Sequence, residues 1–305
     1  MTAVEVSNLT YRYGNVSALC DLDLSVPEGA LYALLGPNGS GKTTLLQILM
    51  GLRRPQKGRV AIMGTGSSAL TLEQRSRIGY IAEGQKLPKW MRLEQLEAYL
   101  APLYSTWDHA LAHHLRERLD LDPHRKLSTL SRGEYMKAAL LCALAPRPKL
   151  LLMDEPFTGM DVIVKDDLIR GVLDTAGSEG WTIIIASHDI SELETMADWV
   201  GIIGDGAMRV SEPMDALRER FKYVDVTLGD TNAMPPQSMM DQWLAVERSG
   251  QRLSFVVSHA GIGFGEGSLS RHFPGAMRID VRNATLREVF IALSKRSSSA
   301  AKVAA

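Results

Sequence analysis

Residues 31–51, LYALLGPNGSGKTTLLQILMG, give the clearest indication of the fold class. Its first five residues are an apolar run that predicts a buried strand, and the strand leads directly into a glycine-rich loop, residues 36–43. Helical apolar spacing follows as far as Gly51. The loop fits the pattern G-x-x-x-x-G-K-[ST], and it lies between a strand and a helix, as this phosphate-binding motif requires. The stretch therefore predicts a phosphate-loop fold.

The residue types of the loop suit a nucleotide. Glycines let successive backbone N–H groups turn towards phosphate oxygens, and the start of the following helix adds a favourable dipole. We expect Lys42 to reach the β- and γ-phosphates and the Thr43 hydroxyl to hold Mg²⁺. The alternative is a flexible turn without a ligand, which the position of the motif disfavours. The predicted nucleotide contacts are Asn38, Gly39, Ser40, Gly41, Lys42, Thr43 and Thr44.

Composition limits the other classes of function. The chain has 34 basic and 35 acidic residues, so no global field attracts nucleic acid or an anionic membrane, and we predict no nucleic-acid partner. Its two cysteines, Cys20 and Cys142, lie in apolar contexts, which argues against a disulfide-built secreted domain. The N-terminus lacks the layout of a signal peptide, and no apolar run approaches the roughly 20 residues of a membrane span. We therefore expect a cytoplasmic protein that reaches a membrane through a partner.

The order of predicted elements indicates an α/β protein with a mainly parallel sheet. Short strands are predicted across residues 3–35, and residues 84–147 have the apolar spacing of a helical insertion. Strands then alternate with helices, which is typical of a parallel sheet. The later predicted elements are strands at 149–154 and 181–187, helices at about 162–176 and 190–197, and a ribbon at 199–210.

Two carboxylates and a histidine follow buried strands downstream. Asp154 ends an apolar run, where a carboxylate would lie near the magnesium ion, and the adjacent Glu155 could orient or deprotonate an attacking water. A solvated strand end is the alternative for this pair, and the upstream phosphate loop disfavours it. His188 follows the strand at 181–187, where it could sense the γ-phosphate. A lone histidine is usually structural, so its assignment depends on the other residues.

With these motifs in order, residues 3–220 resemble the ATP-binding cassette (ABC) ATPase family. The resemblance implies a phosphate-loop NTPase cassette with N-terminal antiparallel strands, and it implies that Tyr13 stacks on adenine. Tyr11 is the less favoured neighbour, and Tyr13 could instead be an ordinary aromatic residue at a strand edge. In Gly159-Met160-Asp161, the resemblance implies that Asp161 lies at a dimer seam.

The segment Leu130-Ser131-Arg132-Gly133-Glu134 stands where the family has Leu-Ser-Gly-Gly-Gln. By itself it is the capping box of a helix, a serine followed three residues later by a glutamate. The resemblance implies that Ser131 and the Gly133 backbone bind the γ-phosphate held by another subunit. Arg132 and Glu134 depart from the family pattern. Because a glutamate adds like charge near ATP, we expect weak dimerisation or slow turnover.

A third departure is Glu83, which stands where the family commonly has a glutamine that contacts magnesium and links to the membrane partner. We predict that Glu83 is a magnesium ligand, together with Thr43 and Asp154. Gln85 is the alternative, but it lies too far along the chain without a shift of the loop. Trp90, in the segment that follows, either packs inward or belongs to a docking surface.

The residues after the cassette form a different region. We divide the chain into a cassette at 1–221, with a helical subdomain at about 84–147, an accessory α+β module at 222–295 and a disordered tail at 296–305. The module lacks a phosphate loop, a carboxylate pair and a metal cluster, so we expect it to assist dimer contact or regulation. Its segment DVRNATLREVFIALSKR resembles the closing segment of cassettes from drug and antibiotic exporters.

The resemblance implies the ATP-hydrolysing subunit of an ABC transporter, with ATP and Mg²⁺ as cofactors. Two copies, or one copy and a paralogous cassette subunit, would sandwich two ATP molecules. They would power a separately encoded membrane permease from the inner face of the cell membrane, and the C-terminal segment favours export. Two alternatives stay open: a soluble ABC-type ATPase in an assembly pathway, and a regulatory nucleotide-binding module with low turnover.

Overall fold

The structure is a computed structural model that describes residues 1–158, 160, 165, 169, 179–229, 243–261, 264–273 and 275–303. The strands are β1 Thr2–Tyr13, β2 Val16–Pro27, β3 Leu31–Leu35, β4 Lys57–Ile62, β5 Thr65–Gly66, β6 Ile78–Ile81, β7 Leu150–Asp154, β8 Thr182–Ser187, β9 Trp199–Gly204, β10 Ala207–Pro213, β11 Lys222–Leu228, β12 Leu244–Ser249, β13 Arg252–Val257 and β14 Ala276–Asn283. The described α-helices are α1 Lys42–Leu49, α2 Leu72–Ser76, α3 Leu93–Leu100, α4 His109–Arg118, α5 Arg132–Leu144, α6 Ile190–Met196, α7 Met214–Arg220, α8 Glu266–Leu269 and α9 Leu286–Val303.

A six-stranded sheet forms the centre of the molecule, in the order β10-β9-β3-β8-β7-β6. All neighbouring strands are parallel except β10, which pairs antiparallel with β9. Every residue of β3, β7 and β8 is buried, as expected for parallel strands covered on both faces. The phosphate loop, Asp154 and His188 lie at the carboxyl ends of these three strands. The predicted α/β class and parallel core sheet are confirmed.

The N-terminal strands form an antiparallel sheet in the order β2-β1-β4-β5. The hairpin between β1 and β2 pairs Tyr13 with Val16 and turns through Gly14, whose φ is +56°. The phosphate loop lies tightly against β2: a Cβ atom added at Gly41 would be 2.5 Å from the Ala18 carbonyl oxygen. Glycine at this position, with φ of +107°, therefore allows both the backbone turn and the close approach.

The region predicted to be a helical insertion contains α3, α4 and α5. Buried leucines on these helices, including Leu96, Leu115 and Leu141, belong to a core shared with the parallel sheet. The helix predicted at about 162–176 lies outside the described residues, apart from Lys165 and Ile169. In the described part of the chain, no helix combines the length and the apolar character that crossing a bilayer requires.

The C-terminal region has an antiparallel sheet in the order β12-β13-β11-β14. One face of this sheet has a core of its own, which includes Val224, Phe255 and Phe273. Helix α9 packs against β12 and also against α6 of the cassette. It continues to Val303, across most of the 296–305 stretch predicted to be a disordered tail. That stretch has no glycine or proline to end a helix, and its alanines favour one.

Candidate nucleotide site

A cleft of about 480 Å³ lies at the carboxyl edge of the parallel sheet, where open α/β sheets bind their ligands. It brings together residues that are far apart in the sequence: the phosphate loop, the aromatic end of β1, Glu83 and Glu155. The lining residues are Tyr13, Val16, Ser17, Ala18, Asn38, Gly39, Ser40, Gly41, Lys42, Thr43, Thr44, Glu83 and Glu155.

Lys42 is the buried cation of the cleft. Its side chain is only 6% exposed, its Nζ atom donates to the Gly36 carbonyl oxygen at 2.7 Å, and the same atom lies 3.5 Å from Glu155 Oε1. Helix α1 starts after Gly41 without a side-chain cap. The first N–H groups of a helix have no acceptor within the helix, so these groups and the lysine can all serve an external anion.

Asp154 is an unsatisfied buried carboxylate. It is fully buried, and neither carboxylate oxygen has a hydrogen-bond partner among the described residues. Burial raises the pKa of Asp154 above its usual value; Thr43 opposes the shift, while Glu83 and Glu155 add to it. A buried acceptor without a donor fits a cation, because an uncompensated carboxylate costs free energy.

The residues around Asp154 suit Mg²⁺ in particular. The Thr43 hydroxyl and the Glu83 carboxylate reach the same cleft as the phosphate loop. Mg²⁺ is usually bound by one or two carboxylates together with phosphate oxygens and water. In the described part of the chain, no group of three or more His, Cys, Asp or Glu residues could hold a metal ion without other ligands. Thr43, Glu83 and Asp154 therefore suit a Mg²⁺ ion whose remaining ligands include the phosphate oxygens of a nucleotide.

The Glu155 carboxylate lies between the side chains of Lys42 and His188. Its Oε2 atom lies 2.7 Å from His188 Nδ1 and accepts the His188 backbone N–H at 3.4 Å, while Oε1 faces Lys42. The Glu155 backbone has φ of +48° and donates to the Ala186 carbonyl oxygen at 2.9 Å. A non-glycine residue rarely adopts this left-handed conformation, and it recurs at functional sites. The two predicted catalytic residues, Glu155 and His188, are thus in direct contact.

Tyr13 forms the open wall of the cleft. Its side chain is 43% exposed, and its hydroxyl lies 3.3 Å from Thr44 Oγ1. Tyr11 packs edge-on against Tyr13 with 5.1 Å between the ring centroids, but it does not line the cleft. The guanidinium of Arg53 lies 4.9 Å from the Tyr13 ring centroid and donates to the Tyr11 hydroxyl at 3.1 Å. This position favours Tyr13 over Tyr11 as the base-stacking residue.

Glu83 and Gln85 have different surroundings. Glu83 is exposed to the cleft, and its charge raises the pKa of Asp154. Gln85 does not line the cleft; its Oε1 atom accepts the Ala82 N–H at 3.2 Å. Gly84, between them, has φ of +62°. Of these two residues, the geometry favours Glu83 as a magnesium ligand.

Residues 130–134, which we call the signature segment, lie outside the nucleotide cleft. Ser131 and Arg132 line a separate cavity of about 580 Å³. Ser131 caps α5: its hydroxyl accepts the Glu134 N–H at 3.3 Å, and Glu134 Oε2 accepts the Ser131 N–H at 2.8 Å. The predicted capping box is therefore present. Gly133 lies in the first turn of α5, and Asp161 lies outside the described residues.

Sequence reasoning missed two arginines. Arg53 lies beside the two tyrosines, and Arg125 pairs with Glu134. Neither has a sequence signal, because each contacts its partners only through the tertiary fold. The contact between Glu155 and His188 was also unforeseen, although both residues follow strands that are neighbours in the sheet.

The fold and this cleft define a phosphate-loop nucleotide-binding protein. A family model described as ABC transporter matches residues 19–158. The bacitracin transport ATP-binding protein BcrA of Bacillus licheniformis is 31% identical over 234 residues, which are 76% of this chain and 76% of that protein. The chain therefore belongs to the ABC transporter family of ATP-binding cassette ATPases. The predicted family and the predicted class of transport-coupled ATPase are confirmed.

Other relatives have import in their names. The sulfate/thiosulfate import ATP-binding protein CysA of Yersinia pestis is 31% identical over 243 residues, 76% of this chain and 67% of that protein. The protein of the same name from Mesostigma viride is 32% identical over 219 residues, and this chain spans 63% of its length.

Solved structures share the fold of the cassette. The ATP-binding subunit of an ABC transporter has a TM-score of 0.65 and 26% identity, over 71% of this chain and 92% of that one. A dimeric ATP-binding cassette bound to ADP and inorganic phosphate has a TM-score of 0.61 and 24% identity, over 69% of this chain and 98% of that one.

Proposed function

We propose that this chain hydrolyses ATP to power a separately encoded membrane permease. The observation that carries the proposal is the position of the Glu155 carboxylate, which faces both the phosphate-loop lysine and His188 in one cleft. A carboxylate beside a phosphate site can position water for attack and accept its proton.

Binding begins with Lys42 and the start of α1. In the free protein, Lys42 faces Glu155 at 3.5 Å. Triphosphate oxygens bring a stronger anion to the lysine and to the first N–H groups of α1. Lys42 then compensates the phosphate charge, and Glu155 becomes available to a water molecule. Tyr13 supports the adenine from the open side of the cleft.

Thr43, Asp154 and Glu83 are the proposed magnesium ligands. When bound, Mg²⁺ would supply positive charge to the phosphate oxygens and compensate the buried carboxylate of Asp154. Glu155 stays on the water side of the site, and His188 holds the Glu155 carboxylate in place through Nδ1. Asp154 and Glu155 thus have separate roles although they are adjacent in sequence.

The second phosphate-binding surface comes from another copy of the chain or from a paralogous subunit. Ser131 and the Gly133 backbone are at the start of α5 and outside the nucleotide cleft of their own chain. A sandwich of two cassettes gives them a phosphate to bind, namely the γ-phosphate in the opposite subunit. ATP binding closes the pair, and hydrolysis reopens it.

We infer that the permease holds the pair at the inner face of the cell membrane and that transport is outward. The cassette itself does not decide direction, because relatives named for import and for bacitracin transport match the same region. The basis for export is the C-terminal segment, residues 280–296, which resembles the closing segment of exporter cassettes. Uptake of substrate into inside-out vesicles would support export; uptake into right-side-out vesicles would contradict it.

The direct test of hydrolysis uses Glu155→Gln. The amide keeps the shape of the side chain but cannot accept a proton, so we expect ATP binding without hydrolysis and a stable ATP-bound dimer. Phosphate release and sedimentation velocity with Mg²⁺ and ATP measure the two effects. Lys42→Ala is the comparison, because it should lose both binding and hydrolysis. Hydrolysis at the wild-type rate in either variant would contradict the assignment.

A further inference from the structure

A carboxylate lies at the start of α5, where the proposed function requires a second phosphate to bind. Glu134 is in the first turn of this helix and shares a capping box with Ser131. A negative charge stabilises a helix start by itself, but it repels an incoming anion. The sequence therefore predicts weak dimerisation, unless another group compensates the charge.

Arg125 supplies that compensation. Its Nη1 atom forms an ion pair with Glu134 Oε1, and its Nη2 atom donates to the Thr129 carbonyl oxygen at 2.8 Å. The other carboxylate oxygen of Glu134 accepts the Ser131 N–H. The pKa of Glu134 lies below its usual value, first because of this N–H and also because of Arg125. The carboxylate thus stays ionised, and each of its two oxygens has a donor.

The backbone around Arg125 is fixed from both sides. Its N–H donates to the Asp122 carbonyl oxygen at 3.3 Å, and its own carbonyl oxygen accepts the Leu93 N–H at 3.2 Å. The guanidinium extends from this turn to the end of the 3₁₀ turn Leu127–Thr129 and to the start of α5. Arg125 therefore compensates the charge of Glu134 and also holds the backbone that leads into the signature segment.

Groups that bind phosphate remain available at this helix start. The Ser131 hydroxyl accepts the Glu134 N–H, and its hydrogen, which also contributes to the lowered pKa of Glu134, can rotate towards an outside oxygen. The N–H groups of Arg132 and Gly133 have no acceptor within the helix. The exposed Arg132 side chain adds a positive charge. With Glu134 compensated by Arg125, the net charge from these three ionisable side chains is positive.

We propose that Arg125 is a positioning residue for the trans phosphate site: it neutralises Glu134 so that Ser131 and the start of α5 can accept the γ-phosphate of ATP held by a second copy of the chain. This inference rests on the proposed nucleotide sandwich. It accounts for the tolerance of a glutamate at a place where the family has a glutamine.

The experiment uses full-length protein with Glu155→Gln, because this variant should not hydrolyse ATP and its ATP-bound dimer should therefore not dissociate. Arg125→Gln, Glu134→Gln and the double variant are added to this protein. We expect Arg125→Gln to raise the ATP concentration for half-maximal dimerisation on the order of tenfold, since the partly exposed charge of Glu134 is left uncompensated near the phosphate at both sites of the dimer. Glu134→Gln should dimerise at an ATP concentration no higher than the starting protein needs, because it leaves the positive charge of Arg125 in place, and the double variant should recover most of the loss.

Three controls separate charge from folding. Arg147→Gln breaks an ion pair of similar exposure in the same helical region, with 2.7 Å between Arg147 Nε and Asp108 Oδ2, and should leave dimerisation unchanged. Arg125→Lys keeps the charge with fewer donors and should have an intermediate effect. The loss in Arg125→Gln should shrink as salt is raised, because salt screens exposed charges. Sedimentation velocity with Mg²⁺ and ATP measures dimerisation, and thermal unfolding without nucleotide checks the fold.

The outcomes distinguish this inference from the proposed function. If the Glu155→Gln protein stays monomeric with ATP, the sandwich is wrong, and the Arg125 proposal is wrong with it. If that protein dimerises but Arg125→Gln has no effect, only the Arg125 proposal is overturned. A loss that Glu134→Gln does not rescue also overturns it, because Arg125 would then act on the loop and not on the charge.

Discussion

The buried ion pair of Lys42 and Glu155 should contribute to the free energy of unfolding, and this effect does not depend on catalysis. The two side chains are 6% and 8% exposed, and Lys42 Nζ lies 3.5 Å from Glu155 Oε1. At an effective dielectric constant of about 20, this separation gives an attraction of about 5 kcal/mol before the cost of desolvation. Removing one partner of such a pair typically destabilises a protein by about 3–5 kcal/mol, because the other charge is left buried.

The two possible truncations are not equivalent. In Lys42→Ala, Glu155 loses its cation and keeps His188 at 2.7 Å. In Glu155→Gln, Lys42 keeps the Gly36 carbonyl oxygen at 2.7 Å. We therefore expect Lys42→Ala to lower the free energy of unfolding by about 3 kcal/mol and Glu155→Gln to lower it by less. The double variant should be more stable than the sum of the two losses predicts, because no unpaired charge remains.

Urea unfolding without nucleotide measures this coupling. The four proteins of the cycle are the wild type, the two single variants and the double variant, and the coupling free energy should be about 1–3 kcal/mol. Saturating phosphate should reduce it, because the anion replaces Glu155 as the partner of Lys42. Strictly additive losses would refute the reasoning, since they would mean that the two charges do not stabilise each other in the free protein.

Three further predictions concern the same structure. Asp154→Asn should stabilise the free protein at neutral pH while abolishing Mg²⁺-dependent hydrolysis, because burial raises the pKa of Asp154 and its ionised form opposes folding. That stabilisation should be lost as pH falls below the unfolded-state pKa of aspartate, where both states are protonated, so urea unfolding at pH 7 and pH 3 checks the sign. Tyr13→Ala should raise the Kd for ATP about tenfold and leave binding of inorganic tripolyphosphate unchanged, whereas Tyr11→Ala should have a smaller effect; titration calorimetry measures both affinities, and equal effects would contradict the choice of Tyr13. Truncation after Phe221 should keep some nucleotide binding but lower the urea midpoint, as fluorescence of an ATP analogue and circular dichroism would show; a truncated protein as stable as the full chain would contradict the observed packing of α9.

The parts of the site that the sequence predicts are those with local chemical signals. The phosphate loop is contiguous, so its glycines, Lys42 and Thr43 identify it without tertiary information. Asp154 is marked by the apolar run before it. In both cases, the functional residue is identified by the residues next to it in the sequence.

The remaining contacts depend on which strands become neighbours. Glu155 and His188 meet because β7 and β8 pair in parallel and both end at the same edge of the sheet. The sequence places a strand before each residue but does not state that the two strands are adjacent. The same holds for Arg125, whose turn is tied by backbone hydrogen bonds to Leu93 as well as to its own neighbours. From the sequence alone Glu134 is an uncompensated charge, whereas the fold pairs it with Arg125.

The division at residue 221 separates the residues assigned to chemistry from the rest, but it does not separate the packing. Leu286, Val289 and Ala292 on α9 belong to the same core as the cassette, and the Leu286 N–H donates to Glu194 Oε1 at 2.8 Å. Glu194 is on α6, the helix that begins two residues after His188. The first turns of α9 and the His188 segment also line one cavity of about 480 Å³. Deleting the C-terminal region would remove this support from the His188 segment while leaving the phosphate loop untouched. Loss of the region should therefore reduce the rate of hydrolysis more than the affinity for ATP.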